Sequence, residues 1–414
     1  MRKERKKLNS IHIVPDLVEE IFLRLPLKSI LKFKTVSKQW RSILESKMFT
    51  ERRMSIQKSH RKILAAYNCD CPDRPRLLPE SRFEGDEEIV FLHSNEAQRG
   101  SMMTCDGLLC FPEPNWVTVL NPSTRQLRRF RSGPDPVSSK GTESGKCVMG
   151  FGRDKVTGNY KVVRMCFDPV EEERCHVLDV ECGEWRKLSP PPYKVNVGRR
   201  PLVRKPVCVN GSVYWLHILW DFKILALNLH TLEFHDVSVP TTSWVTFETK
   251  IVNLQDRLAI VNMKKGPERR LEIWSMDAEE EIWSNTYCIS LAGLTINPWE
   301  STWFTVMTIS KFGNVVFCDN HKRLFKYRPK TNEIRCLSSD ICVISPYLEN
   351  LVPLGSKSGY HSDLEIMTSR CGLLPRHLGA SSGISKLLKG ITFGTLDIVF
   401  ITLVGCMYKK LLNG

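Results

Sequence analysis

Large apolar side chains near the amino end recur at helical intervals, whereas beyond residue 60 they gather into short runs broken by turn residues. Leu17, Ile21 and Leu25 form one stripe and Phe22 starts a second beside it, so the spacing predicts an amphipathic helix. Pro26 breaks that helix, and Ser29, Ile30, Leu31, Phe33 and Val36 restart the pattern on a second. Ser37 suits the cap of a third, SKQWRSILES, which carries Trp40, Ile43 and Leu44. Three helices in about forty residues bury little surface by themselves. Their apolar side chains lie on several faces, which points to a partner groove for some of them.

The body reads differently. An apolar strand, a tight turn and a second strand recur as VLNPSTRQLRRF (119–130), VLDVECGEWRKL (177–188) and ALNLHTLEFHDV (226–237). Looser copies follow at EIWSMDAEEEIWSN (272–285) and FKYRPKTNEIRCL (325–337). Aligned on Asn121, Asp179, Asn228, Trp274 and Tyr327, the steps are 58, 49, 46 and 53 residues. A period near 50 with paired strands predicts propeller blades of the kelch kind. Further strands are predicted at 107–111, 159–167, 211–217, 256–262 and 313–318, giving about four per blade. Five copies are clear, residues 60–100 offer a sixth, and 342–354 could supply the strand that closes the ring. Trp185, Trp215, Trp274 and Trp283 read as filler between blades.

Charge narrows the partners. The net +15 is concentrated at the ends: residues 1–62 carry +11, 63–354 are neutral and 355–414 carry +4. A nucleic-acid-binding body would not be neutral, so no nucleic-acid partner is expected. The cluster at Arg2, Lys3, Arg5, Lys6 and Lys7 reads as a solvated end, with nuclear import as the functional alternative. The fifteen cysteines show no C-x-x-C spacing, and those in strand-like runs, including Cys166, Cys208, Cys288 and Cys318, read as small hydrophobes. The opening residues lack a continuous apolar core, so the expected compartment is a reducing one, cytoplasm or nucleus. Asn210-Gly211-Ser212 reads as a hairpin turn rather than a glycosylation site.

Candidate chemistry is thin. Gly379-Ala380-Ser381-Ser382-Gly383 matches G-x-S-x-G without the strand and helix that a nucleophile elbow needs. Gly150 and Gly152 lack the third glycine of a dinucleotide loop. His176, His217, His230 and His235 fall in or beside strands, the usual setting of structural histidines. The runs Glu171–Glu173 and Glu279–Glu281 read as solvated loops between blades. No catalytic residue, metal site or cofactor is predicted.

The helical segment also resembles an F-box. The match runs through Val14-Pro15-Asp16-Leu17, Ile21, Leu23, Leu25, Pro26, then Leu31, Phe33, Val36-Ser37-Lys38, Trp40-Arg41 and Phe49; Lys34-Thr35 stand where Cys or Arg is frequent. The body resembles the type 1 F-box-associated domain of plants. That likeness rests on Cys105 to Cys110 (CDGLLC), Leu120 to Arg125 (LNPSTR), Gly150-Phe151-Gly152 with Asp154, and Tyr160 to Val163. Farther on it rests on Val209-Asn210-Gly211, Val213 to Leu216, Glu272 to Trp274, and Tyr347 with Glu349 and Leu351.

The resemblance implies a non-catalytic adaptor of a ubiquitin ligase. The F-box would dock a Skp-family linker protein, and through it cullin and RING subunits, while the β-domain would hold an unidentified protein target. Linker binding would fall to Pro15, Asp16, Leu17, Ile21, Leu23, Leu25, Pro26, Leu31, Phe33, Val36 and Trp40; the substrate-binding residues are unassigned. Target recognition is expected on the loops 131–146, 168–174, 189–205 and 240–248.

The expected layout is a basic end at 1–11, an all-α three-helix F-box at 12–56 and a connector with a candidate first blade at 57–100. An all-β, kelch-like propeller follows at 101–354, then an irregular extension at 355–414. Residues 391–408 are long and apolar enough to consider a membrane anchor, but Asp397 at its centre costs about 2.5–3.5 kcal/mol on insertion scales, which favours an extension off the membrane. The rival readings are a propeller enzyme with acids or histidines at its axis, and a membrane-tethered or target-less adaptor.

Overall fold

The computed structural model describes residues 14–58, 61–66, 89–92 and 373–374, and 102–354 apart from short internal stretches. Four helices come first: α1 (Pro15–Leu23), α2 (Leu27–Phe33), α3 (Lys38–Glu45) and α4 (Lys47–Lys58). Proline opens α1 at a position whose N–H has no helical partner, and Asp16 adds a negative charge to the same positive end. The Ser37 hydroxyl accepts the Trp40 N–H at 3.0 Å and caps α3 as its position predicts.

The fourth helix was not expected. Its inner face is built from Phe49, Thr50, Arg53 and Met54, all buried. A threonine and an arginine interrupt the apolar stripe there, so the helical period is hidden.

A six-bladed β-propeller follows, each blade a four-stranded sheet. Strands β1 (Lys62–Ala66) and β2 (Ile89–Leu92) open a blade that the chain completes only at its far end. Five blades then form in sequence. The first has β3 (Met103–Cys105), β4 (Leu108–Pro112), β5 (Trp116–Asn121) and β6 (Gln126–Arg131). The second has β7 (Lys146–Arg153), β8 (Tyr160–Phe167), β9 (Arg174–Asp179) and β10 (Trp185–Leu188). The third has β11 (Val207–Val209), β12 (Ser212–Ile218), β13 (Phe222–Asn228) and β14 (Phe234–Val237). The fourth has β15 (Lys250–Leu254), β16 (Arg257–Lys264), β17 (Arg270–Met276) and β18 (Trp283–Ser290). The fifth has β19 (Phe304–Ile309), β20 (Val315–Asp319), β21 (Leu324–Arg328) and β22 (Glu333–Ser338). Strand β23 (Cys342–Tyr347) pairs antiparallel with β1, β1 runs parallel to β2, and β24 (Leu373–Leu374) joins the edge. Joining early and late strands in one blade turns an open row of sheets into a closed ring with no free inner edge.

Local chemistry repeats with the blades. The hairpins between third and fourth strands begin at Asn121, Asp179, Asn228 and Asp277, whose side-chain oxygens accept the backbone N–H groups two and three residues on. Asp277, not Trp274, is therefore the fourth blade's equivalent of Asn228, and Arg328 takes the fifth position in place of Tyr327. Arg125, Gly183, Leu232, Glu281 and Asn332, each four residues on, all adopt left-handed backbone. Glu279–Glu281 thus lie within a hairpin turn rather than a link between blades; Glu171–Glu173 lie outside the described residues. Asn210 and Gly211, with φ of 48° and 88°, form the two-residue turn between β11 and β12.

Tryptophans tie neighbouring blades. The Trp185, Trp215 and Trp283 indole N–H groups donate to the carbonyls of Arg131, Met149 and Ser238 in the preceding blade. Gly150 and Gly152 serve the same packing: a Cβ on Gly150 would stand 2.4 Å from the Trp215 ring, and one on Gly152 2.7 Å from the Cys208 sulfur. Cys166, read from sequence as a free thiol, is instead bonded to Cys147 across the β7–β8 ladder, where register sets the two residues opposite each other. His217 meets the Tyr193 ring edge-on and His230 lies 3.3 Å from Asp154.

Candidate functional site

Folding sorts the N-terminal apolar residues into two sets. Val18, Phe22, Leu23, Ile30, Leu44 and Phe49 are buried together with Leu351 from the far end of the propeller. Phe33 and Trp40 pack on Phe22 with ring centroids 5.9 and 5.2 Å away, and on each other at 5.4 Å. The second set is open. Leu17 is 54% and Val36 57% exposed, and Pro15, Asp16 and Pro26 are exposed beside them. Ile21, Leu25 and Leu31 keep part of their surface.

Of the residues expected to dock a linker protein, Leu23 is out of place. It is 5% exposed, because it shares the inward face of α1 with Val18 and Phe22. Phe33 and Trp40, half-buried in the aromatic cluster, shape the surface from beneath. Two exposed apolar residues went unnoticed in the sequence, Met48 at 67% and Ile56 at 51%, both on the unexpected α4. Closing a partner over a Leu or Val side chain contributes about 1.5–3 kcal/mol.

The inner face of α4 fastens the helices to the ring. The Arg53 guanidinium donates to the carbonyls of Leu23 and Leu25, left without helical partners where α1 ends, and to Glu349 at 2.8 Å. Lys62 reaches the other Glu349 oxygen at 2.7 Å, and the Gln57 amide oxygen accepts the Glu349 N–H at 2.8 Å. Around this centre Glu51 pairs with Arg153, Lys47 donates to the Thr157 carbonyl, and Lys58 and Arg61 share Asp256. Burial alone would raise the Asp256 carboxyl, but the two cations outweigh it and hold it below its ordinary value.

The irregular segment that follows β23 explains several sequence matches at once. Ser123 and Tyr347 share a hydrogen bond of 2.7 Å, and the Asn121 amide donates to the carbonyls of Asn350 and Val352. The Asn350 amide donates to the Asp106 carbonyl and the Tyr160 hydroxyl. Gly107, with φ of +81°, has no room for a side chain: a Cβ would lie 1.9 Å from the Leu348 carbonyl oxygen. Residues that look like scattered family signatures thus form one strap. It seals the ring and supports α4.

The loops 131–146, 168–174, 189–205 and 240–248, expected to recognise a target, fall largely outside the described residues, as do the G-x-S-x-G stretch and the apolar segment 391–408. Among the described residues no group of three His, Cys, Asp or Glu is placed to hold a metal. No described helix is long and apolar enough to cross a membrane.

Comparison with known proteins agrees with both parts of the structure. Residues 12–52 match the F-box domain model, and residues 82–341 match that of the F-box associated beta propeller domain. An F-box/LRR-repeat protein of Arabidopsis thaliana is 55% identical over 97% of this chain and 98% of its own length. An F-box/kelch-repeat protein of the same plant is 55% identical over 96% and 98%, and an F-box protein 56% over 95% and 98%. The chain belongs to the plant F-box proteins that carry an F-box-associated β-propeller.

Proposed function

We propose that this chain is the substrate-recognition adaptor of a Skp/cullin/F-box ubiquitin ligase. Its exposed N-terminal apolar residues enter a groove of a Skp-family linker protein, which brings the cullin and RING subunits. The propeller holds a protein target. The chain performs no chemistry; it raises the local concentration of a target lysine near the charged ubiquitin carrier. Cytoplasm or nucleus is the setting this reading requires.

The observation that carries the reading is the pairing of Leu17 and Val36, open on the helices, with the buried Arg53–Glu349 join beneath them. A floppy tether would let the target wander, whereas an ion-paired seat fixes the distance between linker and target. Hot-spot truncations at such interfaces typically cost about 2 kcal/mol or more.

The test is co-purification with a Skp-family linker. Leu17→Asp combined with Val36→Asp places charges on exposed sites, so the thermal unfolding of the chain should be unchanged while the linker is lost. A double variant that still retains the linker would refute the reading.

A further inference from the structure

Two cavities follow the propeller axis, of about 150 and 290 Å³, and share lining from Lys205, Ile251 and Thr305. The inner strands give this channel a direction. Lys205 and Lys250 lie where β11 and β15 begin, and Asn210 and Asp256 lie where those strands turn. Lys58, the last residue of α4, and Arg61 just beyond it grip the Asp256 end. The larger cavity therefore sits at the end away from the helices.

Its described lining places Lys205 and Lys250 together, and the carboxylate it shows among the described residues is Asp319. That carboxylate is already engaged: one oxygen accepts the Arg323 guanidinium at 2.7 Å, and the other the backbone N–H groups of His321 and Arg323. The Cys318 thiol, pushed up to about 12 by burial, supplies no countercharge, and burial raises Cys342 as well. Neither Lys205 nor Lys250 has an ion pair among the described residues; Lys250 donates to the Thr305 hydroxyl at 2.8 Å and lies 5.5 Å from the Trp303 ring. Burial, with the like charge of Lys205 close by, draws Lys250 down to about 7. Two partly buried ammonium groups such as Lys205 and Lys250, with no acid paired to either among the described residues, weaken a fold unless something neutralises them.

We propose that this axial cavity binds a phosphoryl-type dianion, held between Lys205 and Lys250. A dianion matches two ammonium groups, and 290 Å³ lies at the small end of ligand pockets, enough for a compact phosphate ester. The site is independent of linker docking. The same phosphoryl chemistry is carried by a free ester and by a phosphorylated side chain of a target.

The test is calorimetry on the full chain at pH 7 and constant ionic strength, with inorganic pyrophosphate, phosphoethanolamine and a phosphoserine pentapeptide as probes. Saturable binding of at least one probe is expected, weakened tenfold or more in Lys205→Met/Lys250→Met. The unliganded double variant should melt at or above the wild-type temperature, since each replacement removes an unneutralised charge. A peptide that binds tenfold tighter than phosphoethanolamine assigns the site to a phosphorylated target, and equal binding assigns it to a small ester; either upholds the proposal. No saturation by any probe at 10 mM (on the order of the weakest useful affinities), or unchanged affinity in the variant, overturns it. If the double variant fails to fold, Lys205→Met and Lys250→Met alone are read against a threefold loss by the same rule.

Discussion

Arg53 and Glu349, 296 residues apart in the chain, meet at 2.8 Å beneath the N-terminal helices, with both side chains largely shielded from water. The pair couples the helices to the ring, together with Leu351, the Gln57–Glu349 and Lys47–Thr157 hydrogen bonds and a rim of ion pairs. Removing one charge leaves Arg53 and Lys62 facing each other without their common counterion. Breaking a buried pair from one side costs about 3–5 kcal/mol. Here Lys62 retains some water and Arg53 keeps its two carbonyl acceptors, so Glu349→Gln should cost about 2–3 kcal/mol. Denaturant unfolding of the two proteins measures the difference, and protection of α1–α4 amides should fall more than that of the blades.

The same pair predicts an acid limit. Burial by itself would raise the Glu349 carboxyl, but Lys62 and Arg53 outweigh it and hold it below the ordinary 4.5. A carboxylate depressed in the folded state stabilises fully above its unfolded value, and that contribution is lost as pH falls through the folded value. The stability gap between wild type and Glu349→Gln should therefore stay constant from pH 7 to about 5.5 and narrow only below 4.5. Thermal unfolding across that range checks it; a gap that narrows between pH 7 and 6 would contradict the assignment.

Gly150 offers a test of inter-blade packing. A Cβ there would lie 2.4 Å from the Trp215 ring and 3.0 Å from Val213, and Trp215 is itself 1% exposed and tied to the Met149 carbonyl. The indole cannot retreat without losing that bond. Overpacking of a tight core costs about 1–3 kcal/mol, so Gly150→Ala should destabilise by that amount. Trp215→Phe in the same chain should relieve part of it, a coupling that a double-mutant cycle would measure.

How much of this was legible follows from where each interaction partner lies. Paired strands within a blade are neighbours in sequence, so the hairpins at 119–130, 177–188 and 226–237 announced themselves through apolar alternation and turn residues. In the fourth blade the apolar pattern aligns on Trp274, three residues before Asp277, whose carboxylate holds the turn. Helix α4 was masked by its buried Arg53, whose partner is 296 residues away. The paired lysines of the axial cavity begin separate strands, and no local period links Lys205 to Lys250. Leu17 and Val36, assigned with the others to linker docking, are exposed, but Leu23, one residue from Phe22, is turned inward by packing that the sequence does not display.

The repeated hairpin turn yields a reciprocal prediction. Glu281 and Gly183 occupy the same place in the corresponding turns of the fourth and second blades, with φ of 52° and 81°. Left-handed backbone costs an ordinary residue about 1–2 kcal/mol, and glycine's greater freedom when unfolded returns about 0.5–1 kcal/mol of that advantage. Glu281 is exposed, so its side chain has little packing to lose. Glu281→Gly should therefore stabilise by about 0.5–1 kcal/mol, and Gly183→Ala should destabilise by a similar amount. The latter also brings its Cβ to 3.3 Å from the Arg128 guanidinium, which is fixed on the Val180 and Glu181 carbonyls. Urea midpoints of the two variants should move in opposite directions at constant slope. Asn332→Gly, at the fifth turn, should gain less than Glu281→Gly, because asparagine tolerates this conformation better than glutamate does. A shift of the same sign in Glu281→Gly and Gly183→Ala would show that side-chain contacts, rather than backbone conformation, govern these turns.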